Sequence, residues 1–131
     1  PNVRFMGRLD DAALAELFAR CRAFLFPGLE DFGIAPVEAQ SAGRPVIAYA
    51  GGGALDTVID GKTGLFFGEQ TVESLVDAVK RLIELGDAHF DPAVIRRHAE
   101  RFAVERFREE FTGYVAAAFE AHRSGASQGL V

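Results

Sequence analysis

Three short, uninterrupted apolar runs, Ala23–Phe26, Pro45–Tyr49 and Leu65–Phe67, are separated by segments of helical spacing, and this pattern constrains the fold more than any other feature. A strand that is apolar at every position needs cover on both faces, and strands joined through helices by short loops run parallel. A doubly wound α/β sheet meets both demands. Upstream, Val3–Met6 reads as a further strand ending at Gly7. A helix capped by Asp10 or Asp11 follows to about Arg22, with Leu14, Leu17, Phe18 and Cys21 on one face. Pro36 to Ala42 reads as a short helix closed by Gly43, and Leu55 to Ile59 as another after Gly51-Gly52-Gly53. Beyond the turn at residues 60–64 and the strand Leu65–Phe67, the chain is helical. Thr71 caps a helix with the apolar stripe Leu75, Val76, Val79, Leu82 and Ile83, ended by Gly86. Asp91-Pro92 opens one to near Phe102, and a last runs from about Val104 to His122. Residues 1–123 are expected to form the domain and residues 124–131 a frayed tail.

Composition narrows the function classes. With 131 residues, 49% hydrophobic and 25% charged, the chain can bury a real core. A net charge of −5 without a basic stripe argues against nucleic acid as a partner. The lone Cys21 sits among apolar residues, which excludes a disulfide framework, predicts a reduced, buried thiol and fits a cytoplasmic setting. No apolar run reaches the length of a membrane span, so no transmembrane segment is expected, while peripheral membrane contact stays open. His89, His98 and His122 are expected along helical surface without companions at ligand spacing, which predicts no metal site, and no cofactor is expected. Phe102, Phe107, Phe111, Tyr114 and Phe119 read as packing faces. The chain opens on Pro1 rather than Met and reads as a fragment or a processed product.

In a doubly wound sheet, ligands bind beyond the carboxyl ends of the strands. Glu30–Pro36, Gly51–Gly53 and Gly7–Asp11 all follow such ends and should line one crevice. Glu30-Asp31-Phe32-Gly33-Ile34-Ala35-Pro36-Val37-Glu38 is the most specific stretch: two carboxylates eight positions apart bracket a turn and a proline that opens a helix. The helix start presents unpaired N–H groups and a positive dipole end, an anion site with a carboxylate on either side. Plainer readings stand beside these. Glu38 also suits the first turn of a helix, Asp10 and Asp11 suit N-caps, and Gly51–Gly53 suits a tight turn.

Phe5-Met6-Gly7, Phe26-Pro27, the Glu30–Ala39 stretch, Ala42-Gly43-Arg44-Pro45-Val46-Ile47-Ala48, Gly51-Gly52, Asp60-Gly61 and Thr63-Gly64-Leu65 occur in an order that resembles the group 1 (family 4) retaining glycosyltransferases. These enzymes place two Rossmann-like domains across a cleft, the GT-B architecture. The resemblance covers about Val3 to Phe111 and implies the carboxyl-terminal, donor-binding half, a partial Rossmann-like domain followed by C-terminal helices. It implies a nucleotide-sugar donor, transfer of a hexose with retention of configuration, and an N-terminal acceptor domain that this chain lacks.

Carried over by residue, the resemblance makes Glu38 the acceptor of the ribose hydroxyls, a role suited to a carboxylate facing a vicinal diol. Glu30 is the catalytic candidate, beside the donor sugar, where it would stabilise developing positive charge. The backbone of Phe32, Gly33 and Ile34 would contact sugar and phosphate. The segment Gly7, Leu9 and Asp11 would flank the base, with Asp11 accepting from guanine's N–H edge and so favouring a GDP-sugar over a UDP-sugar. The family is thought to use front-face attack with the leaving phosphate as base, so Glu30 is not assigned as nucleophile. The family's Arg and Lys clamp on the pyrophosphate would lie upstream of Pro1, and Arg8 and Arg44 do not match it. The strand order 3-2-1-4-5-6 would put Val3–Met6 at one edge, two absent strands away from Ala23–Phe26. The expectation is a piece that is inactive alone and exposes an open sheet edge. The alternative is a non-catalytic nucleotide-sugar-binding or interaction module.

Overall fold

The uninterrupted apolar runs become the strands of a three-stranded parallel sheet. A computed structural model describes residues 2–124. Its elements are α1 (Asp11–Arg20), β1 (Phe24–Phe26), α2 (Ile34–Ser41), β2 (Val46–Tyr49), α3 (Ala54–Thr57), β3 (Gly64–Phe67), α4 (Val72–Leu85), α5 (Pro92–Ala99) and α6 (Val104–Arg123). Single 3-10 turns lie at Asp87–His89 and Glu100–Phe102. The chain divides into two units, Pro1–Glu100 and Arg101–Val131.

Strand order is β1-β2-β3, with Phe24 opposite Val46, Ile47 opposite Leu65 and Ala48 opposite Phe66. Strand side chains alternate between faces, so the central strand feeds two cores. Val46 and Ala48 pack with Phe18, Phe26, Ala39, Ala54 and Val58. Ile47 packs with Leu65, Phe67, Ala78, Leu82, Phe90 and Ile95. Val46, Ile47 and Ala48 are buried almost completely, the cover on both faces that their uninterrupted hydrophobicity demanded.

Caps set the helix boundaries. The Asp10 carboxylate accepts from the Ala13 N–H at 2.8 Å, Thr71 Oγ1 from Ser74 N–H at 3.2 Å, and the Asp91 carboxylate from Ala93 N–H at 2.8 Å, with Pro92 opening α5. Asp10, not Asp11, therefore caps α1. Helix α2 begins at Ile34, two residues before the expected Pro36, because Gly33 takes a left-handed conformation (φ 78°) and turns the chain into the helix early. Pro36 then falls in the first turn, where its missing N–H costs nothing.

Several expectations are corrected. Val3–Met6 forms no strand: a strand exists through its ladder, and no described segment pairs with these residues. Val3, Phe5 and Met6 are exposed, and β1 is left as an edge with Leu25 45% exposed. In α4 the buried or half-buried face is Leu75, Ala78, Val79 and Leu82, whereas Val76 and Ile83 lie beside it and are exposed. Leu17 of α1 is exposed for the same reason. Cys21 is half-buried at the end of α1, its thiol donating to the Phe18 carbonyl at 3.3 Å. Burial pushes the thiol up, partly offset by the Arg44 guanidinium, which itself donates to the Ala19 carbonyl at the same helix end. Within its own unit, α6 leaves Phe107, Phe111, Tyr114 and Phe119 exposed, with the Phe107 and Phe111 rings stacked at 5.5 Å. The expected tail falls, apart from Ser124, outside the described residues.

Ile47 is the central strand's fully buried side chain in the second core, so Ile47→Ala should lower unfolding stability by about 2–5 kcal/mol, seen as a lower urea midpoint at unchanged slope. A midpoint within experimental error of the unmutated protein would contradict this packing.

Candidate functional site

Two loops leave the carboxyl ends of β1 and β2 and meet. The first runs from Pro27 to Gly33 and carries Glu30, Asp31 and Phe32, all exposed. The second is Gly51-Gly52-Gly53, and its Gly53 N–H donates to the Glu30 carbonyl at 2.8 Å. The approach is backbone on backbone. A Cβ at Gly52 would lie 2.3 Å from the Glu30 carbonyl oxygen, and one at Gly53 would lie 2.4 Å from both the Asp31 oxygen and the Phe32 Cα. Only hydrogen fits there. The glycine run is thus more than a turn: it is the seat of the Glu30 loop.

Helix α2 starts at the end of that loop. Gly33 supplies no side-chain hydrogen bond to the first helical N–H groups, and no acidic residue lies in the first turn. Glu38 is the fifth helical residue and is exposed, so complementing the helix N-terminus does not account for it. Instead Glu38 and Asp11 line one cavity of about 250 Å³ with Leu14, Ala15, Phe18, Ser41 and Ala42. Its lining combines two carboxylates with apolar side chains, Leu14, Ala15 and Phe18 from α1 and Ala42 just after α2. Glu30, Phe32, Gly33 and Ile34 do not line this cavity; neither do Gly7 (φ 64°) and Leu9, in the segment entering α1. Such a cavity can take a flat, partly apolar group that offers N–H or O–H donors at its rim.

Behind the glycine turn is a buried polar set that the sequence did not single out. Thr57 Oγ1 donates to the Gly53 carbonyl at 3.0 Å. Gln40 Nε2 donates to the carbonyls of Thr57 at 2.9 Å and Pro36 at 3.2 Å, and His98 Nε2 lies 3.1 Å from the same Thr57 oxygen. His98 is 8% exposed, which corrects its expected place on helical surface. The signal was present: Ile95, His98 and Ala99 follow the i, i+3, i+4 rule and all three are buried, as are Pro36, Ala39 and Gln40 on α2. His89 remains exposed and bonds the Gly61 carbonyl at 3.0 Å. Among the described residues no group of three or more His, Cys, Asp or Glu side chains could hold a metal ion, and no helix is long and apolar enough to cross a membrane.

A parallel sheet covered by helices, with the Glu30 loop and the glycine turn past the strand carboxyl ends, defines a Rossmann-like α/β domain. The model of the family described as glycosyl transferases group 1 matches residues 1–102, and the chain belongs to that family. It is 35% identical over 109 residues to a glycogen synthase of Mycobacterium tuberculosis, covering 82% of this chain and 25% of that protein. It is 38% identical over 83 residues to the alpha-1,3/1,6-mannosyltransferase ALG2 of Dictyostelium discoideum, covering 63% of this chain and 20% of that one. Among solved structures it resembles sucrose-phosphate synthase of Thermosynechococcus elongatus, with a TM-score of 0.76, 29% identity, and coverage of 90% of this chain and 30% of that one. Anabaena Alr3699/HepE, solved in complex with UDP and glucose, gives a TM-score of 0.69 at 25% identity, covering 80% and 30%. The chain spans 20–30% of the length of these relatives. The fold is that of a GT-B domain.

Gly53→Ala would drive a methyl group into the Asp31–Phe32 backbone, and the expected loss of stability is roughly 1–3 kcal/mol. Chemical denaturation checks this, and an unshifted midpoint would mean that the two loops are not seated on one another.

Proposed function

We propose that residues 1–123 are the donor-binding part of a glycosyltransferase that moves a hexose from a nucleotide sugar to an acceptor with retained configuration. The observation that carries the reading is the cavity shared by Asp11 and Glu38, 27 positions apart in sequence, in a chain of this family. Glu38 accepts from the ribose diol. The apolar side chains of Leu14, Ala15, Phe18 and Ala42 pack against the base, and Asp11 accepts from the paired N–H donors that guanine's edge presents and uracil's does not. Gly7 and Leu9 flank the base from the preceding segment. Glu30, with the backbone of Phe32, Gly33 and Ile34, faces sugar and phosphate, where an ionised carboxylate stabilises the oxocarbenium-like charge that develops as the bond to phosphate breaks. Retention follows from attack on the face that the phosphate leaves, with that phosphate taking the acceptor's proton.

The names of the relatives support sugar transfer, a glycogen synthase, a mannosyltransferase and a sucrose-phosphate synthase, while the neighbour solved with UDP and glucose supports a nucleotide site without favouring guanine. The acceptor site and the cations that neutralise the departing pyrophosphate are supplied by polypeptide outside these residues. A cytoplasmic setting, where nucleotide sugars are made and a lone thiol stays reduced, belongs to the same proposal.

In the full-length polypeptide, Glu38→Ala should weaken binding of the nucleoside diphosphate about 10- to 100-fold, the worth of one or two hydrogen bonds to a charged group. Titration calorimetry with GDP and UDP reads it, and an unchanged affinity contradicts the ribose role. Asp11→Ala should narrow any preference for GDP over UDP by about tenfold, as one lost hydrogen bond to a carboxylate would; an unaltered ratio removes Asp11 from base recognition. Transfer from GDP-mannose, UDP-glucose or UDP-N-acetylglucosamine, with the product anomer read by NMR, tests hexose and retention together. The 131-residue chain alone should give no transfer. Donor binding without transfer by the full-length protein would favour a non-catalytic binding module.

A further inference from the structure

We propose that His98 and Gln40 are positioning residues for the donor loop: they hold the carbonyl end of α3, and α3 holds the glycine turn on which the Glu30 backbone sits. The proposal rests on the assignment of Glu30 to the sugar end of a donor site. Helix α3 is a single turn, Ala54–Thr57, hung from Gly53. At one end the Gly53 carbonyl accepts from Thr57 N–H at 3.1 Å and from Thr57 Oγ1 at 3.0 Å, while Gly53 N–H donates to Glu30. At the other end the Thr57 carbonyl, one of the last carbonyls of a helix and without a helical partner, lies within hydrogen-bond reach of Gln40 from α2 and His98 from α5. A one-turn helix has little stability of its own, so its orientation is set by what grips its ends.

The chemistry fixes the direction of these bonds. The Thr57 oxygen only accepts, so His98 carries its proton on Nε2, and Gln40 turns its amide nitrogen toward two carbonyls. Turning that amide over would set Oε1 against both carbonyl oxygens. In the orientation seen, Oε1 is buried without a hydrogen-bond partner, and the residue is 0% exposed. A methionine would fill the same space without an orphaned acceptor. What glutamine adds is therefore its two donor bonds, and both anchor backbone next to the donor loop: Pro36 in the first turn of α2, and Thr57 at the end of α3. Glu38, by contrast, faces the cavity between α1 and α2 and makes no bond to this set. The network should act on transfer through the Glu30 loop more than on nucleoside diphosphate affinity, which also draws on the ribose and base contacts of Glu38 and Asp11 outside this set.

The test uses the full-length polypeptide with three variants: His98→Leu and Gln40→Met, which remove the donors, and His98→Gln, which keeps one. Amide exchange at Gly53, read by NMR on labelled protein against Ala48 in the central strand, reports the Gly53–Glu30 bond directly. In His98→Leu and Gln40→Met, Gly53 should exchange about tenfold faster or more while Ala48 is unchanged, and His98→Gln should restore most of the protection. The kcat for transfer should fall by about tenfold while the GDP and UDP dissociation constants rise by clearly less, since one anchoring bond near 1.4 kcal/mol is a factor of ten. Gly53 protection unchanged, or lost only in step with Ala48, would overturn the positioning role; so would a fall in kcat matched by an equal fall in nucleotide affinity. A parent protein that transfers no sugar would refute the proposed function, while the exchange result still decides whether His98 and Gln40 set the loop.

Discussion

The backbone hydrogen bond from Gly53 to the Glu30 carbonyl is the joint that fixes the acidic loop on the sheet. It is possible only because two glycines let one loop lie on another with no side chain between them. Without it, the loop after β1 would be an exposed acidic segment with nothing to fix the Glu30 carboxylate relative to α2. With it, the ends of β1 and β2 become one surface. The sheet beneath supplies the rigidity: β2, buried on both faces, carries the glycine turn at its carboxyl end, and β1 carries the acidic loop at the matching end.

The charge balance of this surface explains what such a half-site can do unaided. Asp11, Glu30, Asp31 and Glu38 are all acidic and exposed, well suited to hydroxyl and N–H groups but not to a pyrophosphate. Two of the arginines flanking these segments are committed elsewhere. Arg44 donates to the Ala19 carbonyl at the end of α1, and Arg22 pairs with Asp87. On the proposed reading, a donor held by ribose, base and sugar would still need positive charge at its phosphates before the bond to the hexose could break.

Much of the fold was legible in the sequence, because uninterrupted apolar runs, caps at Asp10, Thr71 and Asp91, and the terminating Gly86 each report local physics that tertiary packing did not override. Val3–Met6 was not legible in this way, since β-propensity names a segment that can pair and is silent about whether a partner strand is beside it. The start of α2 was misplaced because Pro36 is a visible signal for a first turn, whereas the left-handed φ of Gly33 is not written in the residue type. For the site, Glu30, Glu38 and Asp11 could be singled out as carboxylates near a helix start. The seating of Gly52 and Gly53 on the Glu30 loop could not, because a close approach between two loops distant in sequence leaves only glycine as its trace. The buried set of Gln40, Thr57 and His98 was missed for a different reason: the i, i+3, i+4 spacing with Ile95 and Ala99, and with Pro36 and Ala39, marks the buried faces, but residue type alone reads a glutamine or histidine there as surface.

The central claim is that Asp11 and Glu38 form the base and ribose end of a nucleotide-sugar site. The most direct measurement is a crystal structure of the full-length polypeptide with a nucleoside diphosphate bound. The account predicts the ribose hydroxyls within hydrogen-bond distance of the Glu38 carboxylate and the base over Leu14 and Phe18 beside Asp11. A nucleotide bound with its ribose away from Glu38, or with that cavity empty, would contradict it.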